Sequence, residues 1–265
     1  MPRLEPHVYL DHLCAESRRF REVLADCDPA ARVPGCPDWD AADLLWHLTE
    51  VQAFWAGVVA GRPAAPDERD HEPPRPTEYA DLLAAFDEHS ARLAGALRGA
   101  DPADPAWSWS TEQTVGFTFR RQAHEAMIHR LDAEQTAGVV TPLDPALAAD
   151  GVLECLEVMY GGTPPWGEFH PLPQHVRVDC TDTGDRFWVQ LGRFVGTDPR
   201  NGKHYDDGDI RVVGDPGVEP DATVAGPAAA LDTWLWRRGD DRDVAVTGDR
   251  DVHDRFRAAV DHPID

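Results

Sequence analysis

The chain has 265 residues, of which 42% are hydrophobic and nine are tryptophan, enough to bury the cores of two domains. Its formal net charge of −23 would repel nucleic acid and anionic lipid, so we expect neither as a partner. There is no run of 18 apolar residues and no apolar segment at the N-terminus, so we predict no membrane span, no signal peptide and a cytoplasmic location.

Four helices are predicted in the first half of the chain. Proline-rich or charged loops separate them, and Asp38 or Asp40 can cap the second helix while Gly138 is expected to end the fourth. Apolar residues recur at helical spacing over about residues 4–28, 40–60, 77–99 and 113–137. Four long helices with short or medium links predict an up-down bundle.

The pattern changes in the second half. A helix is predicted from Asp144 to about Met159, and a Gly/Pro-rich break follows at 161–165. Alternating apolar and polar residues then predict strands, and an Ala- and Trp-rich segment at about 226–237 predicts a helix. The predicted strands are 175–181, 187–191, 210–213 and 244–247. The fold class is therefore a helical bundle over residues 1–160 followed by a small α+β domain over residues 161–265.

A line of polar residues on the fourth helix suggests chemistry. Arg121, Glu125, His129 and Asp132 follow at spacings of four, four and three, so they share a face that is either solvated or part of an inward-facing site. Glu125 and His129 can bind one metal ion, and His47 on the second helix offers a third ligand, which would leave an open coordination position for catalysis. A single mid-helix histidine is more often a core residue, so these residues alone leave the role of His47 open.

The sequence argues against a zinc-protease motif and against structural roles for the cysteines. His124, Glu125 and His129 are similar to the His-Glu-x-x-His motif of zinc proteases, but two histidines five residues apart cannot share a metal, and we expect His124 to pack or to hydrogen-bond. Five scattered cysteines without a C-x-x-C pair argue against a disulfide framework and a cysteine-based zinc site. A cluster of tryptophans is expected to serve core and interdomain packing, and one or two of them could line the substrate cleft; its members are Trp39, Trp46, Trp55, Trp107 and Trp109.

Five segments of the chain carry a family resemblance. Residues 39–48 (WDAADLLWHL) and 120–134 (RRQAHEAMIHRLDAE) resemble the mycothiol-dependent maleylpyruvate isomerase family, which belongs to the DinB-like four-helix metalloproteins. Residues 221–228 (DATVAGPA), 234–238 (WLWRR) and 246–249 (VTGD) resemble the second domain of that family, which is similar to sterol carrier proteins. The resemblance covers nearly the whole chain and implies a DinB-like bundle with a sterol-carrier-like C-terminal domain.

The resemblance also implies a site and a reaction. The family binds zinc through a histidine on the second helix and a Glu-x-x-x-His pair on the fourth, which match His47, Glu125 and His129; these would hold zinc, or another divalent metal, and act in catalysis. A metal-bound thiolate of mycothiol would attack a small electrophilic substrate, giving cis–trans isomerisation or S-transfer.

Arginines and one aspartate complete the predicted site. In relatives an arginine of the second domain reaches the active cleft, so Arg238 is the catalytic candidate and Arg237 a candidate for binding the cosubstrate, although either could lie at a solvated helix end. Arg121 is a second candidate for binding the cosubstrate, or it forms an ion pair with Glu125. Asp132 could accept the second N–H of His129 or lie at the surface.

The main alternative is a catalytically silent DinB-like protein that binds a metal or a small ligand. The sequence does not distinguish isomerisation from S-transfer or a monomer from a homodimer, and it does not identify the electrophile.

Overall fold

A computed structural model describes residues 3–66, 73–262 and 264. They form two compact units, Leu4–Pro142 and Leu143–Asp265, and Arg3 belongs to the second. Within the described residues, no helix is both long enough and apolar enough to cross a membrane.

The first unit is the predicted up-down four-helix bundle. Helices α1 and α2 each pack against α3 and α4, and side chains such as Phe20, Leu44 and Phe86 are almost completely buried between them. The helices are α1 (Pro6–Ala25), α2 (Ala41–Gly61), α3 (Tyr79–Arg98) and α4 (Val115–Ala137).

Local sequence signals set the ends of the two helices that matter for the site. Of the two candidate caps for α2, the structure uses Asp40: its side chain accepts a hydrogen bond from the backbone N–H of Asp43, and the Asp43 side chain accepts one from the backbone N–H of Asp40. Helix α4 ends where Gly138 adopts a left-handed conformation with φ of 75°.

The polar face of α4 is buried. Arg121 and His129 are 3% exposed, Glu125 is 8% exposed and Asp132 is completely buried. Of the two interpretations that the sequence leaves open, the structure therefore supports the inward-facing one. Buried charges need partners, and the arrangement of these side chains supplies them.

The second unit combines a five-stranded mixed sheet with three helices. Its helices are α5 (Pro145–Glu154), which continues into a π-helical turn (Cys155–Tyr160), α6 (Ala228–Leu235) and α7 (Arg250–Ala259). Its strands are β1 (Gly167–Cys180), β2 (Arg186–Thr197), β3 (His204–Val213), β4 (Ala222–Gly226) and β5 (Ala245–Gly248).

The strands lie in the order β3-β2-β1-β4-β5. Neighbours are antiparallel except for β1 and β4, which are parallel. All four predicted strands and the predicted helix at 226–237 are present, so the α+β fold of this half is confirmed; β4 and α7 were not predicted.

The two compact units divide earlier in the chain than the boundary predicted near residue 160. That prediction followed the Gly/Pro-rich break at 161–165, whereas α5 packs against α6 and so belongs to the second unit, which begins at Leu143. The dividing segment is the loop between Gly138 and Asp144, where Asp144 caps α5 by accepting hydrogen bonds from two backbone N–H groups.

Candidate metal centre

Three side chains from α2 and α4 bring metal-ligating atoms together. Oε1 of Glu125 lies 3.1 Å from Nε2 of His129 and 3.6 Å from Nε2 of His47. One ligand atom from each of the three residues lies within 4.8 Å of the other two. Among the residues that the structure describes, this is the one group of three or more His, Cys, Asp or Glu side chains with such geometry.

The helices place the three residues without unusual backbone geometry. Glu125 and His129 are one turn apart on α4, so their side chains point the same way. His47 lies on α2, and its ring centroid is 4.8 Å from that of His129. The ring of Trp39, just before the α2 cap, lies 4.6 Å from the His47 ring and 6.4 Å from the His129 ring. Trp39 therefore packs beside both imidazoles.

Two further side chains orient the ligands. Nδ1 of His129 lies 3.0 Å from Oδ2 of Asp132, so with its proton on Nδ1 the ring directs the lone pair of Nε2 toward Glu125 and His47. Nη2 of Arg121 donates to Oε2 of Glu125 over 3.0 Å, which leaves Oε1 facing the histidines. Asp132 is thus a buried partner of His129 and not a surface residue.

The buried charges shift two pKa values in opposite directions. Burial alone would raise the pKa of Glu125, but hydrogen bonds from His129 and His47 and the charge of Arg121 hold it well below its usual range. Burial alone would lower the pKa of His129, but its hydrogen bonds to Asp132 and Glu125 raise it to about 9. Glu125 is therefore an anion at neutral pH, and a metal would have to displace a proton from His129.

The donor set fits a divalent metal ion such as zinc. Two imidazole nitrogens and one carboxylate oxygen are the ligand types of catalytic zinc sites, and three protein ligands leave a coordination position for another molecule. The side chain of His47 is 23% exposed, so it is the ligand nearest to solvent.

The other predicted site residues lie in different surroundings. Arg121 forms the ion pair with Glu125 that the sequence left open, and a role in binding the cosubstrate stays a prediction. Arg237 and Arg238 follow α6 in the second unit; Nε of Arg237 lies 3.8 Å from Asp261, and Arg238 donates to the carbonyl oxygen of Trp236. Their predicted roles in cosubstrate binding and catalysis also stay predictions.

His124 is completely buried and lies with its ring centroid 6.1 Å from that of Tyr9. It is not part of the cluster formed by His47, Glu125 and His129, in agreement with the rejection of a His-Glu-x-x-His site.

Comparison with known proteins gives matches over both units. A family model described as the mycothiol maleylpyruvate isomerase N-terminal domain matches residues 10–134, and one described as the MDMPI C-terminal domain matches residues 146–255. A search of curated protein sequences gives no match.

Two solved structures share the fold. One is a crystal structure of the mycothiol-dependent maleylpyruvate isomerase, with 13% sequence identity and a TM-score of 0.56. The other is a variant of that enzyme with one histidine replaced by alanine, with 13% identity and a TM-score of 0.57. Each match covers 92% of this chain and 93% of the other. With both of its domain models matched in order, the chain belongs to the mycothiol maleylpyruvate isomerase family.

Proposed function

We propose that the chain is a zinc-dependent enzyme that uses mycothiol as a thiol cosubstrate to transform a small electrophilic molecule. The observation that carries this proposal is the convergence of His47, Glu125 and His129 within 4.8 Å, with an open side at His47. Family membership supports the choice of thiol, and the names of the two solved neighbours favour cis–trans isomerisation over S-transfer.

The chain's own residues would prepare the centre for such a reaction. A bound metal ion would stabilise the thiolate of mycothiol at neutral pH, so no cysteine of the protein needs to act as the nucleophile. Glu125 contributes a negative charge, and Arg121 orients the carboxylate by donating a hydrogen bond to Oε2. Asp132 holds the proton of His129 on Nδ1 and leaves Nε2 as the ligand atom. Burial of these groups strengthens their interactions and limits the access of water.

An isomerisation by addition and elimination of a thiol needs no oxidant and consumes no thiol. The thiol sulfur adds to one carbon of a conjugated double bond, and the remaining carbon–carbon single bond rotates. Elimination then breaks the carbon–sulfur bond and returns the thiol. In an S-transfer the same sulfur would instead displace a leaving group and remain on the product.

The metal content of purified variants tests the site. Wild type, expressed without a histidine tag, is expected to hold about one zinc ion per chain by mass spectrometry, because the three ligands form one centre. His47→Ala, Glu125→Ala and His129→Ala are each expected to lose it. His124→Ala is the matched control, since His124 is a buried histidine of the same helix outside the cluster and its replacement should leave the metal bound.

Turnover assays distinguish the proposed enzyme from a catalytically silent metal-binding protein. Zinc-loaded wild type is expected to isomerise maleylpyruvate, or a related unsaturated acid, only when mycothiol is present. A protein that binds no zinc contradicts the proposed centre, and one that binds zinc but ignores mycothiol would be the silent metal-binding protein. The cytoplasmic location and the choice between monomer and homodimer stay predictions.

A further inference from the structure

Two polar side chains on α4 are buried and have no hydrogen-bond partner in the part of the chain that the structure describes. Gln122 is 1% exposed and Thr118 is completely buried. Neither the hydroxyl of Thr118 nor either polar atom of the Gln122 amide has a partner among residues 3–66, 73–262 and 264. Because both the oxygen and the nitrogen of the amide are unpaired, exchanging the two atoms would not change this result.

The hydroxyl of Thr118 differs from those of other threonines in the bundle helices. A helical threonine usually donates to the carbonyl oxygen four residues earlier. Thr49 does so to Leu45 over 2.7 Å, and Thr136 does so to Asp132 over 2.8 Å. Thr118 makes no such bond in the described structure, so its hydroxyl remains available to another group.

Both side chains lie on the face of α4 that carries the metal ligands. Thr118, Gln122, Glu125 and His129 fall within about 60° of arc around the helix axis. Gln122 precedes Glu125 by about 5 Å along the axis and Thr118 precedes it by about 10 Å. The two side chains therefore continue the polar face from the metal centre toward the N-terminus of α4.

A buried polar group without a partner is unfavourable, so a ligand that satisfies it gains affinity and specificity. The amide nitrogen needs an acceptor and the amide oxygen needs a donor. A carboxylate offers acceptors only and would leave the amide oxygen unpaired. A hydroxyl or a carboxamide offers both a donor and an acceptor and would satisfy both atoms of the amide.

We propose that Thr118 and Gln122 bind an uncharged hydroxyl or carboxamide group of a molecule held at the metal centre, and so help to determine which molecule binds there. The inference rests on the proposed function. The bound group belongs either to the thiol cosubstrate or to the electrophile, and the two sources share this chemistry.

Two substitutions with matched controls test the proposal. Gln122→Leu and Thr118→Val remove the polar atoms at nearly constant volume. Gln52→Leu and Thr49→Val are the controls, since Gln52 and Thr49 are completely buried side chains of the same types. The amide nitrogen of Gln52 donates to Ser17 over 2.8 Å, while its oxygen has no partner in the described structure, and the hydroxyl of Thr49 donates to Leu45. Melting temperatures and zinc contents are measured for all four, and KM and kcat are measured for mycothiol and maleylpyruvate separately.

The expected result separates ligand binding from structure. Gln122→Leu and Thr118→Val keep their zinc and melt no lower than wild type, whereas the controls melt at lower temperature. Gln122→Leu raises one KM about tenfold with a smaller change in kcat. A rise in the KM for mycothiol identifies the thiol as the source of the bound group, and a rise in the KM for maleylpyruvate identifies the electrophile.

Two outcomes would overturn the proposal while leaving the proposed function intact. One is an active wild type whose two KM values are unchanged in Gln122→Leu. The other is a Gln122→Leu protein that melts as low as Gln52→Leu, which would show that the amide has a structural partner. A wild type without zinc or thiol-dependent turnover would instead refute the proposed function and this inference together.

Discussion

Replacing Asp132 with asparagine tests whether the metal centre depends on residues beyond its three ligands. Oδ2 of Asp132 lies 3.0 Å from Nδ1 of His129, and its side chain is completely buried. Asparagine preserves the shape but removes the negative charge that raises the basicity of the imidazole. Loss of such a partner typically lowers metal affinity about 10–100-fold, which is about 1.4–2.8 kcal/mol. The burial of both groups places the expected loss toward the upper end.

Competition with a chromophoric zinc chelator at neutral pH measures the affinity, because Asp132→Asn keeps all three ligands and should still bind zinc. Unchanged zinc affinity in Asp132→Asn, with the fold intact by circular dichroism, would refute the positioning role.

Four other predictions follow from features away from the three ligands. The pKa of Glu134 lies below its ordinary 4.5 because hydrogen bonds from Thr141, Arg19 and Arg130 outweigh the effect of burial. Glu134→Gln should therefore lower the free energy of unfolding at neutral pH by roughly 1–3 kcal/mol, because it removes hydrogen bonds to a charged group. Chemical denaturation should find that the difference between the two proteins shrinks as pH falls through the folded pKa. Burial raises the pKa of Cys180 to about 12, so a thiol reagent followed by mass spectrometry should leave it unmodified until the protein unfolds. Phe86→Ala removes a ring that is 1% exposed and should cost about 3–5 kcal/mol in urea unfolding. If Arg238 is catalytic, Arg238→Ala should lower kcat/KM about tenfold or more with unchanged zinc content, and an unchanged kcat/KM would remove it from the mechanism.

The sequence predicts most elements of the fold from their apolar periodicity, and the two elements that it missed, α7 and β4, are short segments with few large apolar side chains. Helix α7 reads RDVHDRFRAA, and of its ten residues only Val252, His253 and Phe256 are buried. Val252 and Phe256 lie one turn apart on its buried face, so the helix is amphipathic although most of its residues are charged. A second local signal is the cap, since the side chain of Asp249 accepts hydrogen bonds from the backbone N–H groups of Asp251 and Val252. Strand β4 reads ATVAG, and although its burial alternates, Val224 is the one large apolar side chain among its buried positions.

Spacing along one helix predicts part of the candidate site, and the packing of the helices determines the rest. Glu125, His129 and Asp132 are neighbours on one helix, so their spacing alone predicts that they can interact. The place of His47 depends on how α2 packs against α4, which no spacing within either helix reveals. Whether Thr118 and Gln122 have partners is likewise a property of the packed bundle.

The buried face of α4 alternates in charge along its length. A positive guanidinium at Arg121 is followed by a carboxylate at Glu125, an imidazole at His129 and a carboxylate at Asp132. With His129 protonated, these four groups are electrically neutral as a set, so the proton on the imidazole takes the place of a cation when no metal is bound. Exchange of that proton for a dication changes the buried charge by only one unit. Metal uptake and proton release are therefore coupled at this centre, so the affinity for a metal should fall as the medium becomes more acidic.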